Sequence, residues 1–185
     1  MPRRAALALV LGFTAAAAAP AQELPPLMQP LRQHTEMARE VGVWQGTGQS
    51  WMTPDADPVA SNGVETVRMM GQFWLVSEYQ GEFLGEEFHG LGQMTYDPLA
   101  KKYVGTWIDT MAPVMLSMTG EYDVATNELT MMLTGVDPMT SQPGRWKSVT
   151  RYVDADHKTF TLYAETPGQA DTWWKMMEIK YERRK

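Results

Sequence analysis

Cysteine is absent from this chain of 185 residues, which excludes disulfide staples, thiolate metal sites and a cysteine nucleophile together. The fold must be held by packing and hydrogen bonds. Histidine is scarce: His34, His89 and His157 lie in separate stretches without close metal-ligand spacing, so no metal site and no cofactor are expected. Basic charge is also short, 16 Lys and Arg against 22 Asp and Glu, for a net charge of −6. That balance argues against nucleic acid or an anionic bilayer as a partner. There is no phosphate loop, dinucleotide fingerprint, GxSxG elbow or internal repeat, and no strand pattern alternates with a long helix as in doubly wound α/β enzymes.

One long apolar run is present, Ala5 to Ala19, behind Arg3 and Arg4 and ahead of the small-x-small site Ala19-Pro20-Ala21. It is shorter than the ~20 residues of a spanning helix and predicts a secretory signal peptide over residues 1–21. The mature chain is then expected in the periplasm or secreted, with no stable transmembrane association. Removing Arg3 and Arg4 leaves 14 basic against 22 acidic residues, a formal charge of −8. Residues 22–30, with Pro25, Pro26 and Pro30, predict an extended lead-in, and residues 31–185 a single domain.

Leu31, His34, Met37, Ala38 and Val41 fall near helical spacing and predict a short amphipathic helix, on whose apolar stripe His34 is a packed residue. Beyond it the chain reads as about ten strands bounded by Gly, Pro, Asn and Asp. The clearest are the arms of Gly85–Asp109. Phe88, Gly90, Gly92, Met94 and Tyr96 share one face of the first arm; Tyr103, Gly105, Trp107 and Asp109 share one face of the second; Asp97-Pro98-Leu99-Ala100 turns between them. Rings beside glycines suit a strongly curved sheet. The expected fold is all-β, an antiparallel up-and-down barrel of about ten strands with a short N-terminal helix.

The 15 methionines raise the question of Cu(I), but Met69-Met70, Met131-Met132 and Met176-Met177 divide between opposite strand faces, so they read as packing. A haem site would need an inward histidine, and His89 has the parity opposite to Phe88 and Gly90. Seven tryptophans and seven tyrosines suit a ring-lined interior. The candidate ligand-binding residues are Trp44, Tyr96, Tyr103, Trp107, Asp109, Arg151 and Lys175, with the last three taken as polar groups sharing interior faces with rings; Lys175 and Glu178 have opposite parity and need not meet. Noncatalytic binding of a small apolar or amphipathic molecule is the leading functional expectation. The alternatives are an enzyme using Asp109 with Arg151 or Lys175, and an envelope structural or interaction protein with a filled core.

The blocks VGVWQGTG at Val41 to Gly48, GQFWL at Gly71 to Leu75, EFHGLGQMTYD at Glu87 to Asp97, KKYVGTWID at Lys101 to Asp109, LTGVDPMT at Leu133 to Thr140 and KMMEIKYERR at Lys175 to Arg184 resemble, in this order, the domain of unknown function 1579 family. The resemblance implies a lipocalin-like or calycin-like β-barrel and supplies no established reaction.

Overall fold

The computed structural model describes residues 24–83 and 85–185, so the signal-peptide reading of residues 1–21 lies outside the described residues. Ten strands follow a short helical lead: β1 (Gly42–Ser50), β2 (Val59–Met70), β3 (Trp74–Phe83), β4 (Glu86–Asp97), β5 (Lys102–Asp109), β6 (Ala112–Asp123), β7 (Glu128–Val136), β8 (Pro143–Tyr152), β9 (His157–Glu165) and β10 (Trp173–Arg183). Each strand pairs antiparallel with the next, and β10 pairs with β1 from Trp44↔Arg183 to Ser50↔Met177, which closes the barrel. Closure removes the unpaired edges that an open sheet of this length would present.

Alternation decides the inner face. Trp44, Val67, Leu75, Tyr79, Tyr103, Leu129, Met131, Leu133, Tyr152, Ile179 and Tyr181 form one buried cluster, with Phe88, Trp107, Trp146 and Phe160 packed against it. Small residues sit where rings cross the interior. A Cβ added to Gly90 would lie 2.1 Å from the Trp107 indole, and one added to Gly144 would lie 2.4 Å from that of Trp146. Gly90 and Gly92 of the first arm therefore provide space that the Trp107 ring already occupies, while Gly105 of the second lies against the Gln93 backbone. β4 and β5 pair from Asp97↔Lys102 to Gly90↔Asp109, so the expected hairpin turns at residues 98–101, one residue later than the Asp97 to Ala100 turn read from the sequence.

Three local features have simple causes, and the first differs from the sequence reading. The helix is shorter than Leu31–Val41: α1 spans Arg32–Met37, and a 3-10 turn, Ala38–Glu40, brings Glu40 inward before β1 begins. β2 begins as early as Val59 because Val59 to Asn62 pair with Ser50 to Thr47 of β1. Tyr122 belongs to β6 and faces inward, its hydroxyl donating to Asn127 at 2.5 Å. Among the described residues, no helix is long and apolar enough to cross a membrane.

Candidate functional site

The two ends of the barrel differ in chemistry. At the end where β1 begins and β10 finishes, α1 and the 3-10 turn lie over the opening. His34, 4% exposed, accepts from the Leu31 N–H at Nδ1 (2.9 Å) and donates from Nε2 to the Tyr96 carbonyl (2.9 Å), with Phe73 edge-on at 5.2 Å. Beneath it a lysine crosses the interior. Lys158 Nζ bonds Glu40 Oε2 at 2.6 Å and Glu65 Oε2 at 2.9 Å, and Ser77 Oγ donates to Glu65 Oε1 at 2.8 Å. The ammonium also lies 4.6 Å from the Trp44 ring and 5.0 Å from that of Tyr181. Trp44 Nε1 in turn donates to the Glu40 carbonyl at 2.8 Å, and the Arg39 guanidinium stacks over Tyr152 at 3.6 Å. A cavity of about 10 Å³ between helix and barrel, bordered by Arg39, Glu40, Tyr103 and Tyr152, is the size of one water. This end is sealed.

Burial pulls the Lys158 ammonium toward neutrality, but Glu40 and Glu65 outweigh it and the balance lies above the ordinary lysine value. Burial, reinforced by Glu40, holds the Tyr152 hydroxyl well above its usual range, and burial with Glu65 does the same for Tyr181.

At the opposite end no helix among the described residues covers the opening, and the rings are only partly buried. Trp107 lies against Gly90 and Gly92, its Nε1 donating to Asp109 Oδ2 at 2.9 Å, while Asp109 Oδ1 accepts from the Met111 N–H at 3.0 Å. Asp109 thus fixes both the indole and the turn into β6. Near this mouth Ser50, 4% exposed and on the inward parity of β1, has no hydrogen-bond partner for Oγ among the described residues. A buried hydroxyl left so costs about 1–3 kcal/mol, which a polar group placed beside it recovers.

The seven residues singled out in the sequence separate into three groups. Trp107 and Asp109 meet at the mouth. Trp44, Tyr96 and Tyr103 lie at the sealed end, Trp44 at 2% exposure and Tyr96 with its ring centroid 5.3 Å from that of Tyr103. Arg151 and Lys175 are not interior. The inner parity of β8 runs through Trp146, Ser148 and Tyr152, so Arg151 points outward to pair with Glu128 at 2.6 Å. In β10 the pairing register shifts between Lys175 and Met177, and this bulge turns Lys175 to the outside. The same bulge brings Lys175 within 3.1 Å of Glu178, although plain alternation separates them. His89 faces outward and pairs with Glu87 at 2.7 Å. Glu40, Glu65 and Lys158 were missed. Their signal was present in part, since Lys158 shares parity with Phe160 and Leu162, and Glu65 with Val67 and Met69.

A closed ten-stranded antiparallel barrel, covered at one end by its helical lead, defines the class of protein. The sequence matches the DUF1579 family, proteins of unknown function, over residues 29–183, and the chain belongs to that family. The barrel is similar to that of Rv2717c from M. tuberculosis, with a TM-score of 0.61 and 13% identity over 85% of this chain and 100% of that one. It is also similar to the S-type phycobiliprotein lyase CPES from Guillardia theta, with a TM-score of 0.54 and 12% identity over 82% and 92% of the two chains. At these identities the likeness concerns the fold alone. No curated protein matches the sequence.

Two outcomes follow for the sealed end. Lys158→Ala leaves two carboxylates facing each other in the interior and is expected to lower stability by about 3–5 kcal/mol in urea denaturation. Arg151→Ala, at an exposed pair, should cost within about 1 kcal/mol. Because the folded chain retains protons on Lys158, Tyr152 and Tyr181 that the unfolded chain releases, stability should be level through neutral pH and fall above about pH 10. Melting temperatures recorded across that range check the sign; a midpoint that rises with alkalinity contradicts it.

Proposed function

We propose that this protein is an exported, noncatalytic binding barrel that holds a small planar apolar molecule at its mouth, with Trp107 and Asp109 as the first contacts. The observation that carries the reading is the position of the Trp107 indole. It lies on a wall kept bare by Gly90 and Gly92, at the unsealed end, with its polar edge tied to Asp109. A flat ligand can stack on that ring. The described interior is otherwise filled by its own side chains, so the site is a shallow mouth and not a deep cup. Rotation of Trp107 away from the glycines would deepen it by the volume of an indole.

Catalysis through Asp109 with Arg151 or Lys175 lacks the geometry it needs. Asp109 lies at the mouth, Arg151 on the outer face near the sealed end, and Lys175 on the outer face beside Trp51. Each is bonded locally. The similarity to a phycobiliprotein lyase therefore supports this reading through a shared barrel, without a matching reactive constellation.

Titration with N-phenyl-1-naphthylamine, a neutral planar probe, tests the mouth. Saturable one-to-one binding with quenching of tryptophan emission is expected, weakened about tenfold, or 1.4 kcal/mol, in Trp107→Phe and unchanged in Arg151→Ala. Absence of saturable binding, or binding indifferent to Trp107→Phe, contradicts the reading. Export is checked by expressing the full chain in a Gram-negative host: the protein should appear in the periplasmic fraction or medium with its N-terminus near Gln22, and an unprocessed cytoplasmic chain would overturn this part.

A further inference from the structure

The outward positions of β4–β7 form an apolar row that neither the mouth nor the sealed end uses. Leu91, Ile108, Met115 and Val136 stand on four consecutive strands at 41%, 44%, 58% and 46% exposure. They are neighbours in space. Leu91 pairs directly with Ile108; Met115 precedes Leu116, the partner of Trp107, where the β5–β6 register shifts next to Ile108; and Val136 lies two residues beyond Thr134, the partner of Ser117. Met111, 49% exposed in the β5–β6 turn, extends the row toward the mouth.

The outward positions between this row and the next turn of each strand are Gln93, Thr106, Ser117 and Thr134, polar but uncharged. Charge returns only at the margins, as Glu87 with His89 toward the mouth and as the Lys102–Glu121 pair at 3.5 Å toward the sealed end. The outer face of β8–β10 is different, carrying Arg145, Arg151, Glu165, Lys175 and Glu178 in ion pairs.

We infer that this face associates with the same face of a second copy of the chain. The chain carries a net charge of −6, so most approaches of two copies bring like charge together. Contact through the β4–β7 face does not, because its centre carries no charge and its lower margin carries one of each sign. A two-fold arrangement lays the row of one copy across the row of the other, each residue meeting its counterpart or a neighbour of it. Flexible Met111 and Met115 side chains can fill the gap that two convex barrel walls leave. The exposed apolar surface is several hundred Å², the scale at which such patches mark interaction sites, yet it falls short of the ~800 Å² per partner of a standard interface. The dimer is therefore expected to be reversible. The inference stands apart from the ligand reading, since the row faces away from the barrel interior.

Sedimentation velocity of the mature protein from about 1 to several hundred micromolar tests it. The expected result is a concentration-dependent shift from monomer to dimer. Met115→Glu and Met115→Lys should each weaken association at least tenfold while keeping the wild-type circular dichroism, and an equimolar mixture of the two should recover it. A wild-type chain that stays monomeric throughout overturns the inference. So does a dimer indifferent to both substitutions, or a monomer that instead binds vesicles of phosphatidylcholine through these residues.

Discussion

Lys158 joins three parts of the chain that nothing else in the interior joins by charge. Its partner Glu40 lies 118 residues away and its partner Glu65 lies 93 residues away, so one ammonium links the helical lead, β2 and β9 at the sealed end. An ion cluster of this kind is costly to bury and contributes little net stability against a well-packed apolar alternative. Its effect is on specificity. A slip of one residue in β9 would move Lys158 to the outer face and leave Glu40 and Glu65 as unpaired carboxylates in a low-dielectric interior. The cluster thus penalises the wrong register in β2 and β9, which lie one and two strands from β1 on its two sides, around the seam where the barrel must close.

The rings of the interior are arranged around that fixed end. Trp44 seats Lys158 against its face, binds the Glu40 carbonyl, and lies under the Arg183 guanidinium at 4.0 Å. Arg183 donates to the carbonyls of Arg39 and Ala155, so the last strand holds both the helical lead and the β8–β9 turn. Toward the mouth the polar network gives way to rings against glycines, with Asp109 as the tie for Trp107. One end is held by charge and hydrogen bonds, the other by packing against small residues. The mouth is therefore the easier end to open, because packed rings can rotate at far lower cost than a buried ion cluster can be opened.

The period-2 alternation made the barrel legible in the sequence, together with Gly and Pro at nearly every turn. The β4–β5 hairpin was legible to within a residue or two because its rings and glycines share one parity over both arms. Arg151 and Lys175 were placed inside for want of two facts that alternation alone does not carry. The inner face of β8 is set by Trp146 and Tyr152, and the bulge in β10 reverses parity between Lys175 and Met177. The Lys158 cluster escaped because its members come from a 3-10 turn and two distant strands, and a charge at an inward position reads as an exception until its partners are known. The apolar outer row was hidden for a related reason, since a methionine on a strand reads as core until the closed register shows which way it points.

Native-state amide hydrogen exchange tests most directly whether the Lys158 cluster holds the sealed end. The account predicts that the helical lead Arg32–Glu40 and the strands β1 and β9 exchange only through global unfolding in the wild-type protein, while β3, β4 and β5 exchange sooner where they border the mouth. It further predicts that Lys158→Ala strips protection from Arg32–Glu40 before the rest of the barrel. If Arg32–Glu40 exchanges freely in the wild-type protein, or if Lys158→Ala lowers protection evenly around the barrel, the cluster is not what holds this end closed.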